Sequence, residues 1–190
     1  MLKIFARIVS IVFHPLLIIS IFSFTYIREI YGYEIAKAVL ILISLTAIIP
    51  IIVFNSIQVF RGKISNFDLS NNQERSKSYP KLLFILMLLL AESVYYNFPI
   101  GLVYLLLTYS IMIFVFYFFR NKFKISLHSA TAFFLAALML YDFLVIGLIA
   151  LAVSAFVGLS RVILGRHTKM EVIIGSLSGI ILGLVAQLIH

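Results

Sequence analysis

The chain has 190 residues, 63% of them hydrophobic and only 12% charged, with a mean hydropathy of +1.16. Soluble domains carry about 45–50% apolar and about 25% charged residues, so a soluble globule is excluded: it would hold much of this surface against water. The absence of cysteine excludes disulfides, thiolate metal sites and a cysteine nucleophile, and the net charge of +8 points to anionic head groups or phosphate ligands rather than to nucleic acid.

A spanning helix needs about 20 predominantly apolar residues. Seven apolar segments run in chain order at roughly 8–27, 36–60, 82–96, 99–119, 127–141, 143–160 and 172–189. Backbone polar groups cannot go unpaired in lipid, so each segment is predicted to be a helix. The fold expected is an all-α polytopic transmembrane bundle of six or seven spans, forming a single transmembrane domain over residues 1–190. At the N-terminus Lys3 and Arg7 precede an apolar run, as in a secretory signal, but Thr25-Tyr26-Ile27-Arg28-Glu29 offers no small-residue cleavage site. The run reads as a retained first span. Within it, His14-Pro15 is either a functional intramembrane group or a buried helix contact beside a kink.

The remaining segments are separated by short breaks at 28–37, at Asn97-Phe98-Pro99 and at Tyr141-Asp142. Glu92 and Asp142 fall near one membrane face and are expected to meet water there. Residues 61–81 form the one long polar stretch and read as a loop. With seven spans, 13 of the 15 basic residues fall on the opposite face, leaving only Arg28 and Lys37. The positive-inside rule makes this basic face cytoplasmic, in a multi-pass protein of the cell membrane. A phosphate-binding site would gather cations on either side.

Three polar clusters stand on the basic face. Arg75 and Lys77 lie in the long loop, with Asp68; Lys124-Ile125-Ser126-Leu127-His128-Ser129 opens the fifth segment; Ser160-Arg161 through Arg166-His167 to Glu171 links the last two. Guanidinium forks match phosphate oxygens and stabilise the charge of a phosphoryl-transfer transition state. One imidazole can attack phosphorus and another can protonate the leaving oxygen. His167 and Glu171 are four apart, so a helix beginning by His167 would set the carboxylate beside the ring and favour its nucleophilic tautomer. Nothing in this scheme requires a metal or a cofactor.

The third cluster matches S-R-x5-H-x3-D of the type 2 phosphatidic acid phosphatase and vanadium haloperoxidase superfamily at Ser160, Arg161 and His167, with Glu171 for the aspartate. The second resembles that superfamily's P-S-G-H at Ser126 and His128, with Ile125 and Leu127 replacing proline and glycine. The first resembles K-x6-R-P at Arg75, with Asp68 at the lysine position and Ser76 at the proline. The resemblance covers about residues 61–175.

It implies a membrane lipid phosphatase. His167 would be the nucleophile with Glu171 as its orienting acid, and His128 the general acid. Arg75 and Arg161 would clamp phosphate, Ser126 would add a hydrogen bond, and Lys63, Lys77 or Lys124 would supply the charge absent at Asp68. The substrate would be a lipid phosphate or diphosphate in the bilayer, such as phosphatidic acid, phosphatidylglycerol phosphate or a polyprenyl diphosphate. The alternatives are a lipid-phosphate binding or transport protein on the same fold, and a lipid phosphotransferase.

Overall fold

Lipid offers the backbone no hydrogen-bond partners, and every regular element among the described residues is helical. The computed structural model describes residues 1–67 and 71–189, without the side chain of Asn72; Asp68 lies outside the described residues. The elements are α1 (Leu2–Val12), α2 (Pro15–Tyr31), α3 (Tyr33–Ile43), a π-helical turn (Ser44–Ile48), α4 (Ile49–Phe60), α5 (Asn72–Tyr95), α6 (Ile100–Phe119), α7 (Leu127–Asp142), α8 (Leu144–Ile163) and α9 (Lys169–Ile189). Five helical stretches are long and apolar enough to cross a membrane, and six if α1 and α2 count as one bent span. The chain is a multi-pass, all-α membrane protein.

Two boundaries differ from the sequence reading. The first span is broken at His14, and α1 and α2 meet at 49°. Pro15 occupies the first turn of α2, and the residue before a proline avoids the α region; His14 is accordingly extended, at φ −63° and ψ 139°. The polar stretch 61–81 is helical from Asn72 onward, because Asn71 caps it by accepting a hydrogen bond from the Gln73 amide. The added turns bury Arg75 and Tyr79 and give the short third segment a full span.

The other short segment, α7, is the central helix. Its 16 residues would rise about 24 Å, less than the ~30 Å hydrocarbon core. Ten of them are buried, and α7 packs chiefly on α9 and α8 and also on α2. Close approach to α9 depends on Gly175, Gly179 and Gly183, spaced one turn apart. A Cβ at Gly175 would come within 2.7 Å of the Ser126 carbonyl oxygen, one at Gly183 within 2.6 Å of that of Phe134, and one at Gly179 would overlap that of Ala130. With no hydrophobic drive between helices in lipid, such small-residue seams supply the packing.

At the end of the bundle remote from the basic clusters, Asp142 accepts hydrogen bonds from the Tyr26 hydroxyl at 2.6 Å and the Gln187 amide at 3.0 Å. This ties α2, α7 and α9 together. Glu92 accepts from Thr46 in the π-helical turn, at 3.0 and 2.9 Å. Both carboxylates, expected to meet water, are half-buried and also have partners on neighbouring helices, which compensates their partial burial.

Candidate phosphate site at the polar end of an intramembrane cavity

Four turns of sequence, distant along the chain, meet at one end of the bundle. Ser126 begins α7: its hydroxyl accepts from the Ser129 amide at 3.4 Å and lies 3.0 Å from the Ser129 hydroxyl. This places His128 in the first turn, only 6% exposed. At the end of α8, Gly165 adopts φ +66°. Its amide bonds to the Val162 carbonyl, and the Arg166 amide reaches back to Arg161 at 3.0 Å. This is a Schellman stop, and it reverses the chain over Arg161. Thr168 and Glu171 then form a reciprocal capping box, the Thr168 amide donating to Glu171 Oε2 at 2.9 Å and the Glu171 amide to Thr168 Oγ1 at 3.3 Å. His167 is held between the two motifs.

Helix α9 therefore starts after His167, and the pairing with Glu171 does not come from a shared helical face. The capping box folds the carboxylate back, bringing Glu171 Oε2 within 3.3 Å of His167 Nδ1. The same nitrogen lies 3.0 Å from the Lys124 carbonyl oxygen. A carbonyl only accepts, so Nδ1 carries the proton and Nε2 keeps its lone pair, as a nucleophile requires. The Lys124 carbonyl is invisible to side-chain pattern reading. A second backbone bond, from the Ser126 amide to the Glu171 carbonyl at 3.2 Å, laces the same two loops together.

The electrostatics agree with this tautomer. Burial of the His167 ring, followed by the positive charges of Arg75 and Arg161, pushes its pKa down from 6.5 to about 3. The ring is thus neutral near pH 7. Burial, with the nearby guanidinium of Arg75, also pushes the Lys124 ammonium down, while Glu171 acts in the opposite sense.

A cavity of about 970 Å³ opens at this end, and Arg75, Lys77, His128, Arg161 and His167 all line it. Arg75 and Arg161 are 5% and 2% exposed, and Arg161 Nη1 donates to Ser10 of α1 at 2.6 Å. Three predicted residues have other posts. Ser126 is fully buried as the cap of α7, and neither Lys124 nor Glu171 is among the lining residues; both reach the site through His167. Leu127, at the glycine position of the second motif, contributes to the lining. His14, outside the matched motifs, lines the cavity beside His128.

Away from the basic end the walls are apolar, formed by α2, the π-helical turn, α4, α5, α6 and α7. Lining residues on α2 run from Pro15 to Ile27, a rise of about 18 Å. The space therefore combines a cationic head with a long, mainly apolar body. No protein-family model, curated protein or solved structure matches the chain.

Proposed function

We propose that the protein is a membrane lipid phosphatase that hydrolyses a lipid phosphate or diphosphate through a phosphohistidine, without a metal, as a divergent member of the type 2 phosphatidic acid phosphatase superfamily. The observation that carries this reading is the convergence of Arg75, His128, Arg161 and His167 on the head of one cavity whose body is apolar. The phosphate would sit between the two guanidiniums, and the tail would lie along α2 and the π-helical turn.

In the first step the His167 Nε2 lone pair attacks phosphorus, and the P–O bond to the leaving group breaks. His128 gives its proton to the departing oxygen. Arg75 and Arg161 stabilise the charge that builds on the equatorial oxygens. In the second step neutral His128 takes a proton from water, whose oxygen attacks phosphorus and releases His167 with inorganic phosphate. Lys124 and Glu171 hold the His167 ring throughout.

The test is phosphate release from phosphatidic acid, phosphatidylglycerol phosphate and a polyprenyl diphosphate by purified protein in excess EDTA. His167→Ala should abolish turnover while leaving a folded protein in the membrane; turnover at the original rate would refute the assignment. Lipid-phosphate binding without release would instead mark a binding or transport protein, and phosphate appearing on an added acceptor alcohol would mark a transferase.

A further inference from the structure

A second crevice, of about 590 Å³, lies beside the site, between α1, the end of α8 and the chain at Phe67. Lys3, Arg7 and Arg166 line it, and among the described residues no acidic side chain does. The two spaces share a wall. Arg161 lines the larger cavity, Ser10 lines the crevice, and Arg161 Nη1 donates to the Ser10 hydroxyl at 2.6 Å. Phe67 faces both. None of the described residues lining the crevice is a histidine, so a phosphate held there meets no imidazole nucleophile.

The helical period divides α1 into stripes, and that division builds the crevice. Ala6 and Val9 are buried, Val9 against Val157 of α8. Lys3, Arg7, Ser10 and Ile11 form the crevice wall. Ile4 and Ile8 stand outside it, 66% and 55% exposed, and in a bilayer they meet lipid chains. Lys3 and Arg7 are themselves exposed. Basic side chains at a bilayer surface attract anionic head groups, each adding to the affinity. The apolar stripe beside them gives acyl chains a surface, and a free anion would gain nothing from it.

We propose that this crevice binds the head group of an anionic phospholipid of the surrounding bilayer, held but not turned over, with its chains along the outer stripe of α1. Such a lipid joins α1 to the turn after α8 and steadies Ser10, the acceptor of the Arg161 guanidinium. The proposal goes beyond the phosphatase reading and stands without it.

The experiment measures lipid binding to full-length protein in neutral detergent by native mass spectrometry, using phosphatidylglycerol and phosphatidylcholine with identical chains. Phosphatidylglycerol should bind more tightly than phosphatidylcholine and should raise the thermal unfolding midpoint. Lys3→Gln combined with Arg7→Gln should weaken phosphatidylglycerol binding by roughly tenfold or more, as expected for the loss of two surface cations. Arg61→Gln combined with Lys122→Gln removes the same charge from exposed positions that line neither space. This control should change binding by less than about twofold, because exposed charges away from the ligand are screened. None of the four side chains lines the larger cavity, so lipid bound there is common to all variants. Equal losses in the two double variants would reduce the effect to general surface attraction and overturn the proposal. Equal affinity for the two lipids would overturn it as well. So would displacement of phosphatidylglycerol by an equal concentration of glycerol phosphate, which offers the anion without the chains.

Discussion

Single residues carry the division of labour in the site, and His167 shows how. Its Nδ1 faces two acceptors, the Lys124 carbonyl at 3.0 Å and Glu171 at 3.3 Å, while burial and two guanidiniums keep the ring neutral down to about pH 3. The unfolded chain would bind that proton below about pH 6.5. Between these values the unfolded state holds more protons, so folding stability is full above pH 6.5 and declines as pH falls toward 3. Denaturation midpoints measured across this range should show the decline, and His167→Gln should flatten it. Glu171 has two functions that substitution can divide. Glu171→Gln preserves an oxygen for the Thr168 amide, so stability should hold while turnover falls with the loss of the carboxylate beside the ring. Glu171→Ala should remove the cap as well, at a cost of about 1 kcal/mol in thermal or denaturant unfolding.

Helices place these residues through their ends and seams. Arg75 and His128 sit in the first turns of α5 and α7, Arg161 in the last turn of α8, and His14 at the broken joint of α1 and α2. The depth at which α9 meets α7 fixes His167 relative to His128, and that depth is set by glycines. Gly179→Leu drives a side chain into the Ala130 carbonyl. It should lower thermal stability and turnover together, read by the unfolding midpoint in detergent and by phosphate release. Residues on the outer face of the same helix, such as Leu177 and Ile181, are exposed and should tolerate alanine. The sequence shows the four glycine and alanine positions of α9 only as small residues; that the three glycines share one seam follows from α9 being continuous from Lys169 to Ile189.

At the scale of the whole molecule, the proposed function requires the charged head and apolar body of the cavity to hold an amphiphile. Ala47, in the π-helical turn, lines the body of the cavity. Ala47→Phe should fill the space proposed for a tail. It should reduce turnover of a long-chain lipid phosphate more than that of a short-chain, water-soluble ester with the same head group, measured side by side in EDTA. Equal losses on both substrates would show that the body of the cavity does not hold the tail. Residues of α4, which has no buried residue among those described, also line the body of the cavity.

Composition alone determined that this chain lives in a membrane as a helical bundle, because its apolar surface has no other stable solvent and its backbone no other way to satisfy itself in lipid. Spacing alone picked out Arg161, His167 and Glu171, since a fixed interval survives any change in the surrounding residues. Only the tertiary structure decided the rest: that Lys124 serves by its carbonyl, that Ser126 is a helix cap, that the first span breaks at His14, and that His14 meets His128. Those facts depend on backbone atoms, helix ends and contacts between residues more than a hundred positions apart, none of which has a local signature in the order of side chains.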